Sequence, residues 1–261
     1  MSVEIALVAA RVRYGPLEAL HGIDLRVPTA RRTVLLGRNG AGRSTALHAL
    51  AGTVPLSGGR VLWSGDGREP RDVTGLDAYR RARLGLTLVP AERAVFPSLT
   101  VAEHLSRLAA PARAAALDLF PELHRLRERS AGTLSGGEQQ MLALAVALAG
   151  PSRLLLLDEL GRGLAAPVVT RVHQALVAAA AAGRTVVLAE QTLRPPTDGV
   201  PPPDLVYVLH RGAIAFAGEP GEPALAAVTA GADPWGAAPV TAAGAPSRPP
   251  GRRGRGRRRP D

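Results

Sequence analysis

The chain contains no cysteine, and no lysine either: all 32 of its basic residues are Arg. Without Cys there is no disulfide scaffold, no zinc–thiolate site and no cysteine nucleophile. Aromatic residues make up only 3%. No apolar stretch reaches about 18–20 residues without a charge or a breaker, so no membrane span is expected. The first residues, Met1-Ser2-Val3-Glu4, have neither a basic region nor a long apolar region after them, so no signal peptide is expected. A soluble cytoplasmic protein is the default expectation.

What is present narrows the class further. The 261 residues suffice for one or two domains with a real core, and the 46% hydrophobic content excludes wholesale disorder. The net charge of +10 hints at nucleic acid, but it is unevenly placed. From Arg248 to the end there are seven Arg and one Asp, so this short stretch carries +6 of the total. A solvated tail accounts for that run most simply, with anionic lipid headgroups and then nucleic acid as other partners.

The pattern predicts strands at Ile5–Tyr14 and Leu20–Val27 around a Gly15-Pro16 turn, then a short apolar strand at Thr33–Leu36. A helix is expected from Ser44 to Ala51, and further strands at Arg60–Trp63 and Leu86–Val89. Thr100 with Glu103, and Ser135 with Glu138, have capping-box spacing. They predict helices after each, with Pro111 and Pro121 punctuating the first region and Gly150-Pro151 stopping the second. Strands at Leu154–Leu157, Thr185–Ala189, Leu205–Leu209 and Ala213–Phe216 surround a helix at Pro167–Ala182. Antiparallel strands followed by alternating strands and helices indicate an α/β chain with an added β part. From about Ala232 the composition turns to Gly, Ala, Pro, Thr and Arg, and disorder is expected there. The division is therefore 1–232 for the folded domain and 233–261 for the tail.

Three motifs carry chemistry. The first is Gly37-Arg38-Asn39-Gly40-Ala41-Gly42-Arg43-Ser44-Thr45, between a strand and a helix. Its glycines let backbone N–H groups curl around phosphates, and the helix start adds positive potential. The Ser44 hydroxyl is placed to hold magnesium. The second motif is the apolar run Leu154–Leu157 ending in Asp158-Glu159, two carboxylates at the C-terminal end of a buried strand. Asp158 is expected to hold magnesium through water, and Glu159 to polarise the attacking water. The third is Leu134-Ser135-Gly136-Gly137-Glu138-Gln139-Gln140, a capped helix start whose dipole and glycine N–H groups can face an anion.

The third motif resembles the signature of ATP-binding cassette (ABC) proteins, and with the other two the resemblance covers about residues 3–230. It implies a RecA-like phosphate-loop ATPase core, an N-terminal antiparallel β subdomain and a small α-helical subdomain at about 97–134. It also implies that Ser135, Gly136, Gly137 and Glu138 contact ATP held by the opposite subunit of a head-to-tail dimer. Tyr14 matches the aromatic that stacks on adenine. Gly37, Asn39, Gly40, Ala41, Gly42, Arg43, Ser44 and Thr45 match the ATP-binding loop, with Mg2+ on Ser44 and Asp158. "LLGRNGAGRST", "LSGGEQQMLALAVAL", "VVLAEQT", "GLAAP" and "FPSLTVAEHL" are similar to the ATPase subunits of branched-chain amino acid importers. Gln191 stands where most cassettes have a switch histidine.

The resemblance implies a subunit that dimerises on ATP and drives separate membrane permease subunits, fed by a solute-binding protein, from the inner face of the cell membrane. Branched-chain amino acids or similar small polar solutes are the implied cargo, and no nucleic acid partner is expected. Three positions depart from the family pattern. Arg43 replaces the phosphate-loop lysine, Ala91 occupies the place of a Gln or Glu, and Leu160-Gly161 replaces a Pro-Ser pair. Arg is planar and bulkier than Lys, so slowed hydrolysis at the chain's own site is expected. Glu92, one residue on, is the candidate substitute for Ala91. A non-catalytic partner that completes an active subunit's site is the alternative, and a soluble cassette ATPase acting on nucleic acid or ribosomes is another. The six His show no metal-ligand spacing.

Overall fold

The computed structural model describes residues 3–65, 69–92, 94–194 and 200–229. The Arg-rich run from Arg248, and the whole segment 233–261 read as a tail, lie outside the described residues. Strands β1 (Val3–Tyr14) and β2 (Leu17–Pro28) form an antiparallel hairpin that closes with Tyr14 opposite Leu17. Strands β4 (Gly58–Trp63) and β5 (Arg71–Asp72) extend it in the order β2-β1-β4-β5.

A second sheet is built from β3 (Arg32–Leu36), β6 (Leu86–Val89), β7 (Leu154–Asp158), β8 (Thr185–Glu190), β9 (Leu205–His210) and β10 (Ala213–Gly218). Its order is β10-β9-β3-β8-β7-β6. From β9 to β6 the neighbours are parallel, and β10 closes one edge as an antiparallel hairpin. The period of two sorts each central strand between two cores. Leu154, Leu156, Leu35 and Val187 face one core with Ile5, Leu25 and Leu47. Leu155, Leu157, Leu36 and Leu188 face the other with Leu142, Val172 and Leu176. That two-sided burial explains why Leu154–Leu157 is continuously apolar.

The helices are α1 (Arg43–Ala51), α2 (Ala78–Ala82), α3 (Val101–Ser106), α4 (Ala110–Leu119), α5 (Gly136–Ala149), α6 (Ala166–Ala181) and α7 (Pro223–Thr229). Both capping boxes form: Thr100 with Glu103 opens α3, and Ser135 with Glu138 opens α5. Pro111 punctuates two short helices, α3 and α4, as expected. It sits in the first turn of α4, where its missing N–H has no partner to lose. Pro121 starts a 3-10 stretch, Pro121–Leu126. Short β5, α2 and α7 give too few residues for a periodic signal, and the sequence reading missed them. Arg side chains cap helix ends: Arg81 Nη1 donates to Ala49 O and Leu50 O (2.7 and 2.8 Å), and Arg184 Nη2 donates to Ala147 O (3.1 Å). No helix among the described residues is long and apolar enough to cross a membrane.

Candidate functional site

The C-terminal ends of β3, β7 and β8 lie side by side, so the loops after them converge. After β3 the chain turns through Gly37, Gly40 and Gly42, all at positive φ, and enters α1. Gly42 is the N-cap, at φ 104°, and no side chain caps the helix. A Cβ there would come within 2.9 Å of Leu20 Cδ2 and 3.0 Å of Ala19 O, so only Gly fits both the conformation and the space. The uncapped first turn leaves backbone N–H groups at Arg43, Ser44 and Thr45 for an anion. Asn39 and Gly40 lie exposed at the loop's rim, while Ala41 is buried beneath it.

After β7 come the two carboxylates. Asp158 is 2% exposed, and its Oδ1 has no hydrogen-bond partner among the described residues. Burial pushes its carboxyl above the usual range, while a hydrogen bond with Ser44 and the nearby Arg43 pull the other way. A hydroxyl joined to a carboxylate with a free oxygen is a hard-oxygen pair suited to Mg2+. These two side chains fit that ion, which would neutralise phosphate charge. Glu159 adopts φ 47°, a left-handed conformation rare for a side chain of its kind. Its N–H donates to Ala189 O at 3.0 Å, which ties the turn to β8. The strained turn aims its carboxylate back over α1.

Arg43 reaches that carboxylate. Its side chain is buried, and Nη2 lies 3.4 Å from both Glu159 Oε1 and Asn39 Oδ1. At 3.4 Å the contact to Glu159 is an ion pair and that to the neutral Asn39 amide a long hydrogen bond. Nη1 has no hydrogen-bond partner among the described residues. A buried guanidinium with an unmet N–H group, beside free backbone N–H groups, fits an incoming phosphate oxygen. Gln191 also engages Glu159, its Nε2 donating to Oε1 at 3.3 Å. Glu159 Oε1 thus faces two donors, Arg43 and Gln191.

Tyr14 stands at the end of β1 and is 47% exposed, so it is not a core residue. Its hairpin leads through Ala19 and Leu20 to the back of Gly42. The signature sits elsewhere on the surface. Ser135 Oγ accepts from Glu138 N at 3.3 Å, and Glu138 Oε2 accepts from Ser135 N at 2.9 Å. Nothing lies near Gly136, whereas a Cβ on Gly137 would strike the carbonyl oxygen of Gly163. The loop after Glu159 therefore packs directly on the signature.

Ala91 offers no polar side-chain atom, and Glu92 does not replace it at the metal pair. Glu92 is exposed and bonded to Arg162 Nη1 at 3.0 Å. The sequence reading missed Glu190 and His173. Burial raises Glu190 to about 7 and lowers His173 to about 4. A charged residue closing an apolar strand signals Glu190. His173 gives no sequence signal, because it falls on the same helical face as Val169, Val172 and Leu176.

Residues 20–161 match the family model described as ABC transporter. The chain is 35% identical over 211 residues to the high-affinity branched-chain amino acid transport ATP-binding protein BraG of Pseudomonas aeruginosa, covering 78% of this chain and 87% of that protein. It is 31% identical to the lipopolysaccharide export system ATP-binding protein LptB of Acidithiobacillus ferridurans, covering 77% and 83%. Among solved structures, the ADP conformation of an ATP-binding cassette of an ABC transporter superposes with a TM-score of 0.70 at 20% identity, covering 89% of this chain and 96% of that one.

Proposed function

We propose a function from one premise: the chain belongs to the ABC transporter family, by the family match over residues 20–161 and by a relative 35% identical across most of both lengths. It is an ATP-binding subunit, and ATP hydrolysis in this family is coupled to transport. Our finer reading is an importer subunit that moves branched-chain amino acids or similar small polar solutes. The similarity to BraG over 87% of that protein's length carries it. Lipopolysaccharide export by another relative marks the competing cargo class.

In this reading ATP lies on the loop Gly37–Thr45 with its base near Tyr14. Ser44 and Asp158 hold Mg2+, Glu159 polarises water, and Gln191 orients Glu159. Ser135–Glu138 serve the nucleotide of the second cassette in a head-to-tail dimer. Permease subunits supply the membrane passage, a solute-binding protein delivers the cargo, and the subunit works against the inner face of the membrane. A specific contact favours slow hydrolysis at the chain's own site: Arg43 neutralises the same Glu159 oxygen that would receive water's proton. The reading is tested by purifying the chain from membranes with its co-bound proteins and measuring ATPase activity in proteoliposomes with leucine and binding protein. Membrane subunits and leucine-stimulated turnover are expected. Co-purifying ribosomes or nucleic acid, with no membrane subunit, would refute it.

A further inference from the structure

A groove of about 310 Å3 separates α4 from α6, with the end of α5 as its third side. From α4 it is lined by Ala115, Ala116 and Leu119, and from α6 by Ala175, Ala178 and Ala182. Its one polar residue, Arg184, is spent on carbonyls of α5 and on Ser152. An open apolar groove forfeits dispersion contacts on both of its walls, and alanine faces permit helices to approach closely. The alanines of α6 continue a helical face that begins at Arg171, one turn before Ala175.

Arg171 reaches across to the stretch that follows α4. Its Nη2 donates to Glu122 Oε1 at 2.7 Å, and its guanidinium lies over the ring of the fully buried Phe120, 5.7 Å from the centroid. Nε shares an edge of the guanidinium plane with Nη2, and a carboxylate accepts from both at once in a two-armed pair. Here the second arm is missing. Arg171 Nε and Glu122 Oε2 are both buried, and neither has a hydrogen-bond partner among the described residues. A donor and an acceptor thus stand unmet within one ion pair, a cost that a small shift of Glu122 toward α6 removes. Glu122 follows just after Leu119, so the same shift carries the end of α4 toward α6 and narrows the groove. We propose that α4 and the Pro121–Leu126 stretch take two positions against α6: the open one of this structure, and a closed one in which the alanine faces meet and Arg171 grips Glu122 with both arms. Packed elements of this kind hold discrete positions and do not slide continuously. Closure uses the chain's own residues and needs neither nucleotide nor partner. It also bears on the signature, because Pro121–Leu126 leads into the loop before Ser135.

The chain has no cysteine, so two introduced cysteines take spin labels without background. Ala114 on α4 and Ala181 on α6 are exposed and lie outside the groove lining, so Ala114→Cys with Ala181→Cys spans the groove without filling it. Double electron–electron resonance on the full, nucleotide-free chain reads their separation. Arg171→Lys keeps the charge and one bond to Glu122 but has no second arm, so it should lose the closed position. The labelled parent chain should therefore show distances about 2 Å shorter than Arg171→Lys, the spread of interaxial distances between small and large contacts. Ala178→Leu leaves the ion pair alone and fills the groove, and it should lose the same short distances. The proposal is overturned if either variant gives the distances of the parent chain. It is also overturned if the short distances arise only after ATP is added.

Discussion

The signature and the chain's own phosphate loop make an instructive pair. At the start of the signature helix the cap closes on itself. Ser135 and Glu138 are joined by three hydrogen bonds, and the one from the Ser135 backbone holds the Glu138 carboxyl below its usual range. Around the phosphate loop, Arg43 Nη1 and Asp158 Oδ1 lack partners, and the carboxyls of Asp158 and Glu190 are pushed up. The signature's cap satisfies its own polar groups, whereas the phosphate loop leaves Arg43 Nη1 and Asp158 Oδ1 for the phosphate and Mg2+ of the proposed function. In the head-to-tail dimer of the proposed function these regions belong to different ATP sites. On that proposal Arg43 and Ala91 weaken one site and leave the signature's service to the other intact.

The largest effect is expected at Gly137. A methyl group there must displace Gly163 or the first turn of α5. Gly137→Ala should lower turnover of the assembled transporter by about 10²- to 10³-fold, the scale of losing a preorganised donor. ATP affinity of the isolated chain should stay within about twofold, because α1 and its loop are untouched. Filter binding and steady-state ATPase assays check both, and retained turnover would break the contrast.

The next effect is on stability. Glu190 keeps its proton to about pH 7 against an ordinary 4.5, so the unfolded chain releases it first and stability falls as pH rises from 4.5 to 7. His173 stays neutral down to about pH 4 against 6.5, so the unfolded chain binds a proton first and stability falls as pH drops from 6.5 to 4. Between 4.5 and 6.5 the two slopes oppose. Glu190→Gln should leave stability rising with pH by about 2–3 kcal/mol over that window, and His173→Phe should leave it falling by a similar amount. Urea unfolding from pH 4 to 8 reads this directly. Glu138 on the signature side titrates below the window, so Glu138→Gln should add no slope there.

A smaller change is expected at position 43. Both contacts to Glu159 and Asn39 come from Arg43 Nη2 at 3.4 Å, and the shorter Lys should not reach as far, so Arg43→Lys frees the Glu159 carboxylate. Single-turnover hydrolysis should rise about tenfold, or roughly 1.4 kcal/mol of barrier. Unchanged rates would mean that the pair opens freely once ATP binds.

How much of this was legible depends on whether residues announce themselves locally. The strand Leu154–Leu157, both capping boxes and the glycine spacing of the phosphate loop each encode one conformation, and each forms as read. Pro111 and Pro121 mark element boundaries as read, because Pro breaks a helix interior but suits a first turn. The bond from Glu92 to Arg162 crosses 70 residues of sequence and has no local signature. His173 and Glu190 gain their character from burial between elements far apart in the chain, which no periodicity reports.

The smallest effect separates a structural cap from a ligand-facing one. Thr100 and Ser135 make the same reciprocal box with a Glu three residues on. Replacing either with Ala removes one acceptor from a helix start and should cost about 1 kcal/mol, a Tm decrease of about 2–4 °C. Thermal unfolding should therefore not distinguish Thr100→Ala from Ser135→Ala. ATP-dependent dimerisation should. Gly136 beside Ser135 has open space around it, so that helix start can meet a phosphate. Ser135→Ala should raise the ATP concentration needed for dimerisation about threefold to tenfold, the range for one neutral hydrogen bond. Thr100→Ala should leave it unchanged. Equal shifts in the two variants would reduce the Ser135 box to a cap and remove the ligand-facing half of the comparison.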